Sequence, residues 1–352
     1  MVPLNRPPVD WPPANWPLRA PPPQDMRWLR VEDASAVPAC RKAVQVMAER
    51  LQFSAPRVGQ LALAVTEAAS NLHKHAEQGS LLLCVNRDSP QPGIDLVTID
   101  AGPGVRDVSA AVRDGHSTAG TLGIGLGAIK RLADFSDLYS LAGRGTSLVA
   151  RFREVPAGGS PGTETRWAGL VRPITGETEC GDAYGAVQAG GAVTAVLCDG
   201  LGHGPLAAAA AAAGVAAVLA DPAGEPAAVL ERVHRRMSGT RGGAVGIVRI
   251  DGRLAQFAGL GNVAASIVSG VERKSMTSLP GIAGHQARAI RQFDYEVPPG
   301  AAVVLHSDGI SSRWEAAALP GLAARDPLLV AAALLAAAGV HRDDAGILVL
   351  KP

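Results

Sequence analysis

Residues 66–76 read TEAASNLHKHA. Glu67 and Asn71 lie four apart, so a helix puts the carboxylate and the amide on one face. Leu61, Ala64, Val65, Ala68, Ala69 and Leu72 recur at helical spacing, which predicts a helix over Ser54–Ala76. Magnesium takes oxygen ligands and keeps most of its waters. One Asn71 oxygen can therefore hold it while triphosphate oxygens supply further ligands, and Glu67 can orient or deprotonate an attacking hydroxyl. Taken alone, the pair suits a capped, solvated helix face equally well.

The surrounding motifs sharpen the reading. Upstream, residues 35–51 read as an amphipathic helix. Downstream, strands are expected at Ser80–Arg87 and Gly93–Asp100, a helix near Leu126–Phe135, and strands at Ser136–Leu141 and Ser147–Phe152. The order from Met26 is α, α, β, β, loop, α, β, β. The segment Asp100-Ala-Gly-Pro-Gly104 places a carboxylate at a strand end, where it can accept a hydrogen bond from an exocyclic amine or simply begin a turn. Next, GTLGIGLG (120–127) sets glycines ahead of a helix, a geometry that can cradle phosphates. Gly123, Gly125 and Ala128 satisfy the relaxed dinucleotide fingerprint, but no apolar strand precedes them, and no P-loop motif occurs.

Order, spacing and expected elements over residues 26–153 resemble the GHKL ATPase family. Glu67 with Asn71 looks like its N-box, Asp100–Gly104 its first glycine box, Gly123–Gly127 its second and Gly143–Thr146 its third. The resemblance implies an α/β sandwich in which Asn71 binds Mg²⁺, Glu67 is the base and Asp100 reads adenine. It further implies that Gly102, Gly104, Gly123, Gly125, Gly127 and Lys74 hold phosphates and that Thr146 supports the adenine site. With RLADFSDLYSLAGRGTSL (131–148), the helix is most similar to the serine/threonine switch kinases that act on STAS-domain regulators in stressosome pathways. His73 and His75 read as rim residues.

Gly, Pro and Ser crowd together at Glu154–Thr163, which marks a linker. Beyond it, eight apolar, strand-like runs alternate with turns between residues 165 and 350, and helices are expected at Pro205–Ala220, Pro226–Met237 and Pro327–Ala338. That pattern suggests a β-sandwich flanked by helices. Asp182, Asp199, Asp308 and Asp343 stand at the ends of apolar runs. Carboxylates gathered there repel one another unless cations lie between them. Oxygen-only ligands suit Mg²⁺ or Mn²⁺, and two such ions activate water for in-line attack on a phosphoester. Any single Asp-Gly pair is equally a turn signal.

As a set, GDAYG, DGLGHG, GLGNV, SDGI and DDAG resemble the PP2C-type phosphatases of the SpoIIE group over residues 164–352, most closely the stressosome feedback phosphatase. The resemblance implies metal ligation by Asp182, Asp199, Asp308, Asp343 and the Gly200 carbonyl, with Asp199 and Asp308 central to catalysis. GDAYG lacks the usual acid after the aromatic residue, and DDAG leaves open whether Asp343 or Asp344 is the ligand. His203 either touches phosphate or merely lines its loop, and Cys198 reads as a small buried strand residue.

Composition agrees with two domains. The chain has 352 residues, 47% hydrophobic, with 33 basic against 32 acidic residues and a formal charge of +1. No strong field steers it toward nucleic acid or an anionic membrane. Four cysteines without C-x-x-C spacing argue against a zinc ribbon and a disulfide framework, and suit the cytoplasm. Residues 1–25, rich in Pro and Trp, carry no apolar signal core and read as a disordered tail. The expectation is a two-domain signalling enzyme using ATP with Mg²⁺ at one site and two Mn²⁺ or Mg²⁺ ions at the other. Its partners would be STAS-domain proteins regulating a sigma factor or a cyclase. The alternative is a binding switch in which only the phosphatase turns over.

Overall fold

A computed structural model describes residues 18–87, 92–105, 125–154 and 166–352. The first layer is formed by helices α1 (Ala36–Arg50), α2 (Ala55–His75) and α3 (Gly125–Leu132). They cover one face of an antiparallel sheet built from β2 (Met26–Arg30), β3 (Ser80–Asn86), β4 (Gly93–Ile99), β5 (Phe135–Ser140) and β6 (Thr146–Arg153), in the order β2-β3-β4-β6-β5. Leu61, Val65 and Ala69 of α2 meet Leu81, Leu83, Ile94 and Leu96 there.

The other residues form a sandwich of two sheets. One contains β8 (Asp182–Ala189), β9 (Ala192–Gly200), β10 (Gly243–Asp251) and β11 (Leu254–Leu260), with short strands at its edges. The other runs β13 (Glu272–Met276), β12 (Ala264–Ser269), β14 (Ala302–His306), β15 (Ala345–Leu350), β7 (Trp167–Arg172). Between them lie Val193, Leu197 and Phe257 facing Ile267, Val303 and Leu348. Helices α4 (Pro205–Ala220) and α5 (Pro226–Arg236) close the outside of the first sheet through Ala210, Val215 and Leu230.

Helix α6 (Pro327–Ala338), PLLVAAALLAAA, is apolar all round, as a helix must be when every side of it is buried. One side packs on Leu170, Val304 and Ile347 of the sandwich, and the other packs on Leu82, Val97 and Val149 of the five-stranded sheet that carries α1 to α3. Strand β4 is accordingly buried at all seven positions, because both of its faces are covered. The molecule is therefore one stack of helices, sheet, α6, sheet, sheet and helices. Polar contacts reinforce the seam: Trp28 Nε1 donates to the Val171 carbonyl (3.0 Å), Arg144 Nη1 to the Ala318 carbonyl (3.1 Å), and Arg325 pairs with Asp137 (2.9 Å).

The expected tail needs correction. Leu18–Arg19 form strand β1, antiparallel to β8, with Leu18 opposite Ala186 and Arg19 opposite Gly185. Pro21 and Pro22 have no N–H to give a ladder, but an edge strand that stops before them loses no ladder bonds. A 3-10 turn follows, and its buried Asp25 is held by Arg50 (2.5 Å) and Arg87 (2.7 Å). Segments from both ends of the chain thus enter the sandwich. Residues 1–17 and the expected linker from residue 155 onward lie outside the described residues.

Candidate active sites

The first site gathers at the C-terminal half of α2. Asn71 and Glu67 are half-buried and Lys74 is exposed. Gly125 opens α3 directly against Asn71: any side chain there would bring its Cβ to 3.0 Å from both the Nδ2 and the Oδ1 of Asn71. Asp100 follows β4, and its Oδ1 accepts the Gly102 N–H (2.8 Å) while its own N–H donates to the Thr146 carbonyl (3.1 Å). Burial raises the Asp100 carboxyl above its ordinary range, and the Gly102 and Thr146 backbone N–H groups pull it back.

The loop after Asp100 and the β5–β6 hairpin form one unit. Ser140 Oγ accepts the Val105 N–H (2.7 Å), donates to the Gly145 carbonyl (3.0 Å) and lies 2.9 Å from Thr146 Oγ1. Gly143 N–H donates to the Pro103 carbonyl (2.8 Å). Gly145 is left-handed (φ +83°), and a Cβ on it would overlap the Asp100 carbonyl oxygen. Gly104 belongs to the same loop, and Gly127 is buried within α3. Ala101 N–H donates to the Glu77 carbonyl (2.9 Å), which brings this loop to the end of α2. The structure thus assembles Asn71 with Gly125, and Asp100 with Gly102, Gly104 and Thr146, around one helix end; Gly123 lies outside the described residues. An amide oxygen, a carboxylate with spare accepting capacity and glycine-lined backbone suit magnesium and a nucleotide. Ser140 escaped the sequence reading, because a serine inside a strand carries no local signal.

The second site lies at one end of the sandwich. Asp182 begins β8 directly opposite Asp199 on β9. Asp308 follows β14, and Asp343 and Asp344 precede β15. Burial, and then the neighbouring Asp199, hold the Asp182 carboxyl well above the usual range, and its Oδ2 accepts Ser307 Oγ (2.6 Å). Burial followed by the charges of Asp308, Asp343 and Asp344 pushes Asp199 up to about 7. Asp308 is raised by burial and then by Asp343, and accepts Asn262 Nδ2 (2.5 Å).

Asp344 is committed to the backbone: its Oδ1 takes the Ile174 N–H (2.8 Å) and its Oδ2 the Gly181 N–H (2.9 Å). Among the described residues, the one hydrogen bond to the Asp343 carboxylate is from the Asp344 N–H (2.9 Å), and Asp343 lies close enough to Asp199 and Asp308 to raise both. Gly200 N–H donates to the Gly181 carbonyl (3.0 Å), which fixes the backbone beside Asp199. Among the described residues, no three His, Cys, Asp or Glu side chains form a ready-made cage. Magnesium is ordinarily held by one or two carboxylates and several waters. Strand-held carboxylates that raise one another's pKa are what such a cation relieves, so these residues fit it.

His203 is exposed and meets Glu177 Oε1 (3.1 Å), a carboxylate the sequence reading did not single out. Cys198 is fully buried, and burial followed by Asp199 holds its thiol well up, so it is a packing residue. Ser307 and Asn262 were also missed, since each enters only through tertiary contact. Among the described residues, no helix is long and apolar enough to cross a membrane.

Comparison with known proteins follows the same division. The family model described as histidine kinase-like ATPase domain matches residues 31–152, and that of stage II sporulation protein E (SpoIIE) matches residues 189–351. Serine/threonine-protein kinase RsbT of Bacillus subtilis (strain 168) is 32% identical over 126 residues, 36% of this chain and 95% of RsbT. Two solved structures are similar over 53% of this chain. One is described as "The bacterial stressosome: a modular system that has been adapted to control secondary messenger signaling" (27% identity, 98% of that chain, TM-score 0.48). The other is RsbX in complex with magnesium (20% identity, 96% of that chain, TM-score 0.47). With the nucleotide-type site around Asn71 and the carboxylate site around Asp199 on one chain, the protein belongs to the RsbT-like serine/threonine kinases of the histidine kinase-like ATPase family, fused to a SpoIIE/PP2C-type phosphatase domain.

Proposed function

We propose that the chain is a bifunctional signalling enzyme that phosphorylates a serine or threonine on a STAS-domain regulator and removes phosphate from the same or a related partner. Its pathway would be partner switching that controls a sigma factor or a cyclase. The observation that carries the reading is the assembly of Asn71, Gly125 and Asp100 around the end of α2, in the same chain as the Asp182, Asp199, Asp308 and Asp343 cluster.

In the kinase half, residues 26–153, Asp100 accepts the adenine amine and Thr146 steadies that loop. Gly102, Gly104, Gly123, Gly125 and Gly127 offer backbone N–H groups to phosphate oxygens, with Lys74 at the rim. Asn71 holds Mg²⁺, and Glu67 takes the proton from the partner's hydroxyl. In the phosphatase half, residues 164–352 joined by β1, Asp182, Asp199, Asp308, Asp343 and the Gly200 carbonyl hold Mn²⁺ or Mg²⁺. Two such ions supply Lewis acidity and an activated water at neutral pH. Ser307 and Asn262 fix the Asp182 and Asp308 carboxylates through the bonds given above. Opposed activities on one chain raise each site's effective concentration at a shared partner.

The test uses point variants. Glu67→Ala or Asn71→Ala abolishes phosphotransfer and spares Mn²⁺-dependent phosphatase activity, and Asp199→Asn does the reverse. Loss of both activities in either folded variant contradicts two separate sites.

A further inference from the structure

The loop that follows Asp199 borders an open groove of about 880 Å³. Its walls include Leu201, Leu206, Ala209, Thr240, Arg241 and His285. Leu201 and Leu206 are 52% and 60% exposed, and both line this one groove. The groove is a built feature. Leu201 N–H donates to the Gly242 carbonyl (2.9 Å), Gly242 N–H to Thr240 Oγ1 (3.0 Å) and Thr240 Oγ1 to the Met237 carbonyl (2.7 Å). His285 Nε2 lies 3.1 Å from the Thr240 carbonyl. Residues 237–242 are thereby stitched to the Asp199 loop.

Arg241 reaches over that loop. Its Nη1 lies 3.1 Å from where a Cβ on Gly202 would stand. Several other arginines are tied down, Arg57 to Asp134, Arg151 to Asp326 and Arg273 to the Ser312 and Trp314 carbonyls, while exposed ones such as Arg235 and Arg288 have no such partner among the described residues; Arg241 differs from these in its place over the loop that follows Asp199. Among the described residues, the exposed Arg241 guanidinium makes no hydrogen bond or ion pair, although carboxylates crowd the neighbouring strand ends.

We infer that Arg241 and this groove bind the phosphatase substrate: the guanidinium takes the phosphate of a phosphoserine or phosphothreonine segment, and Leu201 and Leu206 take an apolar residue beside it. A phosphate dianion nearing a carboxylate cluster needs compensating charge, and the planar guanidinium fork matches phosphate oxygens. The apolar pair gives a bound segment a place to bury a side chain next to the reacting group. This inference rests on the phosphatase reading and names residues that would position its substrate.

The test compares wild type with Arg241→Met, Arg241→Lys and Leu206→Gln, all loaded with Mn²⁺. The probes are p-nitrophenyl phosphate and two phosphothreonyl hexapeptides that differ only in a Leu or a Gly after the phosphorylated residue. Loss of a charge-assisted contact raises KM for all three probes roughly 10- to 100-fold in Arg241→Met. The kcat falls less than KM rises, and Arg241→Lys recovers part of the loss. Wild type prefers the Leu peptide, and Leu206→Gln brings the two peptides' kcat/KM ratio toward one. An unchanged thermal midpoint shows that each variant is folded. Unaltered KM in Arg241→Met, or a Leu/Gly ratio untouched by Leu206→Gln while wild type turns over, overturns this inference alone. Absence of any turnover by wild type overturns the phosphatase reading itself.

Discussion

Arg151 of β6 grips Asp326, the residue that caps α6, through two parallel hydrogen bonds of 2.9 Å each. Asp326 Oδ1 also accepts the Leu328 N–H (2.9 Å), so one carboxylate both caps the shared helix and binds the kinase sheet. Asp95 lies 3.6 Å from Arg151, and all three side chains are buried. This ion network sits where the two enzymatic halves meet.

Removing the guanidinium leaves buried carboxylates without their compensating charge, the costly way to break such a network. Arg151→Met should destabilise the protein by about 3 kcal/mol. Because α6 packs on both halves, urea unfolding followed by Trp fluorescence and by nucleotide binding should shift together. A loss confined to nucleotide binding contradicts the shared core.

Gly125→Ala favours α3 by helix propensity, yet places a methyl group 3.0 Å from the Asn71 amide. The variant should fold normally and bind Mg-ATP at least about 10-fold more weakly, on the scale of one lost polar contact. Fluorescent-nucleotide titration measures this; wild-type affinity means that Asn71 does not hold the metal–nucleotide complex.

Asp182, Asp199 and Asp308 have raised carboxyl pKa values, Asp199 at about 7. A carboxyl whose folded value exceeds its unfolded one stabilises below the unfolded value, near 4, and loses that contribution as pH rises through the folded value. Metal-free protein should therefore lose stability from this cluster between about pH 4 and 7. Mn²⁺ should raise the melting midpoint more at pH 8 than at pH 5, and Asp199→Asn should raise the metal-free midpoint at pH 8. Differential scanning fluorimetry reads both, and a Mn²⁺ effect that grows toward acid pH contradicts the cluster's role.

Asp343 and Asp344 should separate cleanly. Asp344→Asn replaces a carboxylate that takes two backbone N–H bonds, and should cost about 1–3 kcal/mol in urea unfolding. Asp343→Asn should leave the metal-free fold intact and weaken Mn²⁺ binding by calorimetry. The reverse pattern would make Asp344 the ligand.

The grouping of Asn71, Gly125 and Asp100 was legible because Glu67 and Asn71 are separated by one helical turn, and because the glycines that abut Asn71 and Asp100 are themselves visible. The four carboxylates were legible as ends of apolar runs. Ser140, Ser307 and Asn262 were not, since their partners are brought to them only by folding. Strand β2, MRWLR, mixes two arginines with apolar bulk, without strict alternation and over too few residues to stand out. Strand β1 is two residues beside three prolines, and its pairing with β8 spans the whole kinase segment. The all-apolar α6 carried the sign of a second covering surface, but nothing local says that the surface is the kinase sheet.

The most direct measurement is an intact-mass time course of a STAS-domain protein, incubated with Mg-ATP and Mn²⁺ and either wild type or Asp199→Asn. Phosphate should accumulate stably with the variant and only transiently with wild type. If neither transfers phosphate while both bind the partner and ATP, the kinase is a binding switch and the bifunctional account fails.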